Sequence, residues 1–276
     1  MRRVVGVFAA VTLVVGASGL GIAGTAGSTV DYPILQVKKV VTGTPTVGFT
    51  VTVACSVRSG SVTAQNPQPP DATLTFNADG TPNTADNMNW QSVAGNWQFQ
   101  NSTLISAVCT VTETGAGGAS SVSYACAFTN GAAITDASQQ NGVGGCSGPV
   151  SGPTVVTYSD NNCTSSFCAL GQSATVTVTN TFPVITAITQ DANTVLVTGS
   201  GFPPNTESTV DIQSTPLVLG TLTADANGAF SKAFTIPCSV GSGSHTVTAT
   251  ATTGQTASTG VTLAACPVVA PINFTG

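Results

Sequence analysis

Charge is what this sequence has least of. Among 276 residues only six are Lys or Arg and 11 are Asp or Glu, 6% together, against roughly 25% in an ordinary soluble domain. Coiled coils and helices solvated by charged faces are therefore excluded. Six basic residues and a net charge of −5 exclude a nucleic-acid surface, which binds by releasing counterions from phosphates. No acid-base or nucleophile motif surrounds His245, the single histidine, which leaves it a structural role. There is no CxxC, so a zinc site lacks ligands. A glycine-rich phosphate loop, a GxSxG elbow and an HExxH helix are missing as well. These absences point to a non-enzymatic chain without a cofactor or a metal. Disorder is excluded by the 41% hydrophobic fraction, which recurs in short, regularly spaced runs.

What is present begins with an export signal. Met1-Arg2-Arg3, the apolar stretch Val4 to Val15 and the small residues through Gly24-Thr25-Ala26 form the three parts of a secretory signal peptide over 1–26. The apolar run is shorter than the roughly 20 residues of a membrane-spanning helix and is broken by glycines, so no transmembrane segment is expected in the mature chain. Cleavage after Ala26 leaves four basic residues, Lys38, Lys39, Arg58 and Lys232, against 11 acidic ones. All eight cysteines, Cys55, Cys109, Cys126, Cys146, Cys163, Cys168, Cys238 and Cys266, follow the signal. An even number in an exported chain favours disulfides, and a secreted or cell-surface location.

Alternation of β-branched with small polar residues dominates the rest, as in Phe49-Thr50-Val51-Thr52-Val53 and Ala174-Thr175-Val176-Thr177-Val178. Turn signals such as Asp79-Gly80, Asn130-Gly131 and Asn227-Gly228 punctuate these runs. The fold class is all-β, with two tandem β-sandwich domains. A composition seam at Asn180-Thr181-Phe182-Pro183 divides them into 32–182 and 183–266, with a tail at 267–276. Within the first, 66–86 and 130–171 show little strand character and read as long loops, the second stapled by cysteines. The second holds seven short runs, 184–189, 194–199, 208–213, 217–223, 228–236, 244–251 and 258–263, the strand number of an immunoglobulin-like sandwich. Asp225-Ala226-Asn227-Gly228 reads as a hairpin turn and lacks the remaining ligands of a calcium loop.

The period of two assigns a face to each strand residue. Leu35, Val37, Lys39 and Val41 share one face; so do Cys109, Val111 and Glu113, and also Val176, Val178 and Asn180. Lys39, Glu113 and Asn180 thus point with apolar neighbours, and buried charge needs a partner. If the three meet, two outcomes follow. One is a buried Lys39–Glu113 ion pair capped by the Asn180 amide. The other is chemistry: desolvation favours the neutral amine of Lys39, a protonated Glu113 polarises the Asn180 carboxamide, and an amide cross-link forms as ammonia leaves.

The segments "LQVKKVVTG", "FTVTVAC", "CTVTETG" and "ATVTVTNTF" together resemble DUF5979, a repeat domain of actinobacterial surface and secreted proteins. That domain is similar to the Cna B-type (SpaA-like, prealbumin-like) sandwiches of Gram-positive adhesins and pilins. The resemblance implies an isopeptide bond from Lys39 to Asn180 beside Glu113, and a disulfide between Cys55 and Cys109. The stretch from "VLVTGSGFPPNTESTVDIQ" through "GSHTVTATA" resembles bacterial Ig-like modules of the IPT/TIG type, with Phe202 as a packed plug. Cys238 and Cys266, alone in the second domain, are expected to pair. Short loops favour Cys126 with Cys146 and Cys163 with Cys168 among three arrangements.

Trp90, Trp97 and Phe99 in "WQSVAGNWQF" are either core of a hairpin or a shallow face for carbohydrate or peptide. The sequence therefore describes an exported structural or adhesive module whose partners are extracellular protein or glycan. Its alternative is a secreted binding protein using the Trp90/Trp97 region.

Overall fold

In a computed structural model the described residues are 32–57, 69–101, 104, 107–129, 144–158, 172–213 and 217–266. The signal read over 1–26, Cys163, Cys168 and the tail 267–276 lie outside them. Among the described residues the regular structure is strand, with a 3-10 turn at Cys238–Val240, so the all-β expectation holds. No helix there is long and apolar enough to cross a membrane.

The first eleven strands are β1 (Ile34–Thr42), β2 (Phe49–Val57), β3 (Ala72–Phe76), β4 (Pro82–Ala85), β5 (Trp90–Val93), β6 (Asn96–Gln100), β7 (Ala107–Gly115), β8 (Ser121–Thr129), β9 (Gly145–Ser147), β10 (Thr154–Thr157) and β11 (Ser173–Thr181). They form a five-stranded sheet, β5-β6-β1-β11-β8, and a six-stranded sheet, β4-β3-β2-β7-β10-β9. Alternation places Leu35 and Val37 of β1, Val51 and Val53 of β2, Val111 of β7, and Val176 and Val178 of β11 in one core. That core excludes water from the ends of β1, β7 and β11, where the polar residues sit. The first and last strands pair in parallel, Ile34 with Ser173 through Thr42 with Thr181. A parallel pair needs a long crossover, here the whole intervening chain.

The two stretches read as long loops need correction. Strands β3 and β4 lie within 66–86, and β9 and β10 within 130–171. Both sets are short and flanked by Pro, Gly or Asn, so their own pattern is weak; pairing with β2 and β7 supplies what local propensity does not.

The remaining strands are β12 (Val184–Asp191), β13 (Thr194–Ser200), β14 (Glu207–Ile212), β15 (Leu217–Thr223), β16 (Phe230–Thr235), β17 (Gly243–Ala251) and β18 (Thr256–Leu263). Each overlaps one of the seven runs read from the sequence. They form sheets β12-β13-β16 and β15-β14-β17-β18 around a separate core that includes Val195, Val197, Val210, Ile212, Val247 and Ala249. Phe202 is 2% exposed within it, its ring 4.9 Å from that of Phe230.

Among the described residues three disulfides cross-link the strands. Cys55–Cys109 joins β2 to β7, Cys126–Cys146 joins β8 to β9, and Cys238–Cys266 ties the 3-10 turn to the segment after β18. Because β8 and β9 are edge strands of opposite sheets, the second bond closes one side of the first sandwich.

Candidate functional site

Lys39, Glu113 and Asn180 converge at one end of the first core. Lys39 comes from β1 and Asn180 from its parallel neighbour β11, while Glu113 reaches across from β7 in the opposite sheet. The Lys39 and Glu113 side chains are 0% and 1% exposed, and Lys39 Nζ lies 2.5 Å from Glu113 Oε1. The same Nζ donates to Asn180 Oδ1 at 2.5 Å. Asn180, fully buried, donates from Nδ2 to Glu113 Oε1 and to Ala116 O, both at 3.0 Å. Two acceptors on one side and an ammonium or amine donor on the other fix the orientation of the carboxamide. Its carbonyl faces the amine, and its NH2 group faces the carboxyl.

The electrostatics follow from this enclosure. Desolvation pushes the Lys39 amine below its ordinary value of 10.5, and the hydrogen bond and charge of Glu113 oppose that shift without reversing it. The Phe49 ring, with its centroid 4.6 Å from Nζ, covers the amine and accepts its positive charge on the π face. Phe182 packs against Phe49 at 6.0 Å. Glu113 Oε2 is buried and has no hydrogen-bond partner among the described residues. One carboxyl oxygen therefore carries both contacts, and the other is buried without one.

A β-bulge shapes the Glu113 end. Val51 pairs with Glu113 but Thr50 pairs with Gly115, so Thr114 is the extra residue and the strand bends there. Tyr124 of β8 projects from the opposite sheet, and its hydroxyl accepts the Glu113 backbone N–H at 2.8 Å. Burial raises the Tyr124 phenol, the charge of Glu113 adds to that, and the hydrogen bond from the Glu113 N–H acts the other way. Sequence reasoning missed this tyrosine. Its signal was present, since Val122, Tyr124, Cys126 and Phe128 alternate with small residues along β8.

The other sequence candidates lie elsewhere. Strands β5 and β6 form a hairpin with Val93 opposite Asn96, turning through Ala94 and Gly95 at positive φ as a two-residue primed turn requires. This turn directs Trp90, Trp97 and Phe99 inward, with exposures of 6%, 7% and 3%. Trp97 Nε1 donates to Thr75 O at 3.0 Å, and the Trp90 and Phe99 ring centroids are 5.5 Å apart. Of the two readings left open for these rings, core of a hairpin or binding face, their burial fits the core. Asp225 accepts the backbone N–H groups of Asn227 and Ala229 at 2.8 and 2.9 Å and closes a tight turn, but the flanking strands β15 and β16 belong to different sheets, so the hairpin expected there is corrected to a turn that crosses between sheets. His245 stands on β17 opposite Val261, far along the chain from the triad and in the other sandwich.

No protein-family model and no curated protein matches the chain. Among solved structures it is similar to a tetra-tandem repeat from the extending region of a large adhesion protein, with 18% identity and a TM-score of 0.28 over 82% of this chain and 68% of that one. It is also similar to the adhesin InvE of Yersinia pseudotuberculosis, with 20% identity and a TM-score of 0.23 over 57% of this chain and 53% of that one. Domains 3 and 4 of rat CD4 match with 8% identity and a TM-score of 0.24, over 84% of this chain and 99% of that one.

Proposed function

We propose that this chain is an exported, non-enzymatic structural or adhesive module of the cell envelope or its surroundings, whose first sandwich closes itself with an isopeptide bond between Lys39 and Asn180. The observation that carries the reading is that one atom, Glu113 Oε1, lies within hydrogen-bond reach of both the nucleophile and the leaving group, at 2.5 Å from Lys39 Nζ and 3.0 Å from Asn180 Nδ2. Desolvation shifts Lys39 towards the neutral amine that must attack.

In the reaction the Nζ lone pair adds to Asn180 Cγ and the carbonyl π electrons move to Oδ1. Glu113 takes a proton from Nζ and delivers one to Nδ2, the Cγ–Nδ2 bond breaks, and ammonia departs as the carbonyl re-forms. Glu113 ends as it began, so one chain performs one turnover on itself. The product ties the first strand of the sandwich to the last.

Export is supported by the signal-like N-terminus and by the disulfides of the described residues. The two cores support domains over 32–182 and 183–266, the first DUF5979-like and the second Ig-like. A partner of such a module is an extracellular protein or glycan. Intact-mass measurement of the reduced mature protein tests the central step: a deficit of one ammonia, absent in Lys39→Ala, is expected. The full calculated mass in the unaltered protein would sink it.

A further inference from the structure

We infer that Tyr124 is a positioning residue for the cross-linking reaction, holding Glu113 where its Oε1 touches both reacting groups. The inference rests on the isopeptide reading and names a component of that site which neither the face pattern nor the resemblance supplies.

The Cys55 and Cys109 Cα atoms are 4.0 Å apart, the close spacing of a non-hydrogen-bonded antiparallel pair. Val53–Val111 and Val51–Glu113 follow at steps of two, so they belong to the same class. In such a pair the N–H and C=O groups point away from the partner strand. The Glu113 N–H therefore faces the side of β10. That strand begins at Thr154, opposite Val111, one step short of Glu113, so the ladder ends before it can accept this donor.

Tyr124 supplies the acceptor. The residue is 8% exposed in the core, and its backbone is fixed twice, by pairing with Val178 of β11 and by donation from Tyr124 N to Val150 O at 2.7 Å. Two residues on, Cys126 is bonded to Cys146 on β9, which anchors the strand that carries the phenol. A buried donor left without an acceptor would pull the bulged end of β7 toward solvent. The displacement falls on the residue whose carboxyl must shuttle the proton, and catalysis of this kind is sensitive to shifts of about 1 Å.

Tyr158 provides the control. It is fully buried in the same core and its hydroxyl donates to a backbone carbonyl, Ile34 O, at 2.6 Å, but at the start of β1, away from the triad. Tyr124→Phe and Tyr158→Phe each delete one hydroxyl and keep the ring. The test follows loss of ammonia by intact mass, as a time course from synthesis and across pH, in the full mature chain with its disulfides formed. Tyr124→Phe is expected to slow the loss about tenfold or more at every pH, while Tyr158→Phe reacts at the unaltered rate although it also loses stability. In Tyr124→Phe the Glu113 amide is also expected to lose protection against hydrogen exchange. An unaltered rate in Tyr124→Phe, or equal slowing in both variants, overturns the inference and leaves the cross-link standing. A full mass in the unaltered protein overturns both.

Discussion

Lys39 and Asn180 meet diagonally across a parallel ladder: the Cα partner of Lys39 is Val178, and Asn180 lies one step further along the same face, opposite Val41. The long lysine stem spans that step inside the core, and Glu113 closes the triangle from the other sheet. Removing the carboxyl should therefore show in stability even where no bond can form. In an Asn180→Ala background, Glu113→Ala leaves the Lys39 amine buried without its ion partner, and a loss of about 3–5 kcal/mol is expected. Adding Lys39→Met should restore most of it, because an apolar side chain in that place needs no partner. Urea unfolding of the three variants checks this, and a variant with both changes as unstable as the one with Glu113→Ala alone would contradict it.

The same background exposes a pH dependence. Burial holds the Lys39 amine below 10.5 in the folded protein. Between that lowered value and 10.5 the unfolded chain binds more protons than the folded one, so stability contributed at this residue rises with pH across the window. Tyr124 and Tyr158 act oppositely. Burial raises both phenols above 10.0, so their contribution is present below pH 10 and declines as unfolded tyrosine ionises above it. The difference in urea midpoint between Asn180→Ala and Asn180→Ala/Lys39→Met cancels the tyrosines. It should move in favour of the lysine-bearing protein as pH rises towards 10.5, and a flat difference would count against the assignment.

Much of this was legible in the sequence, for a physical reason. Strand alternation puts every second residue on one face, so Lys39, Glu113 and Asn180 could be assigned inward from the apolar company they keep. The seven runs after Val184 were legible because turn residues separate them cleanly. Strands β9 and β10 were not, since runs this short between glycines and prolines carry too little pattern, and only pairing with β7 defines them. Tyr124 escaped notice because its role depends on where β10 begins, a tertiary fact. Trp90 and Trp97 are open to a core or a surface reading, and the Ala94-Gly95 turn decides the face.

The disulfides differ in access, and so should their reduction. Cys55 and Cys109 are 7% and 0% exposed, whereas Cys238 is exposed and Cys266 half-buried. Thiolate attack requires approach to a sulfur, so among the three disulfides of the described residues Cys238–Cys266 should reduce first and Cys55–Cys109 last under mild reductant. Differential alkylation followed by peptide mapping gives the order. Replacing Cys126 and Cys146 by Ser should cost about 2–4 kcal/mol, and it should also slow ammonia loss through the loosened β8.

A backbone contact in the second sandwich offers a test separate from the triad. Gly228 has φ +74, and a Cβ there would lie 2.1 Å from Phe202 O and 3.2 Å from Phe202 C. Phe202 N in turn donates to Gly228 O at 3.1 Å, so the glycine and the phenylalanine backbone are locked together. Phe202 cannot retreat without withdrawing its ring from Phe230 and from the core. Gly228→Ala should therefore combine left-handed strain with loss of packing, destabilising the protein by about 2–4 kcal/mol. The hydrogen-bond partners of Lys39, Glu113 and Asn180 all lie between residues 39 and 180, so the ammonia deficit should persist unchanged in this variant. A melt that matches the unaltered protein would show that the turn relaxes more easily than this close approach permits.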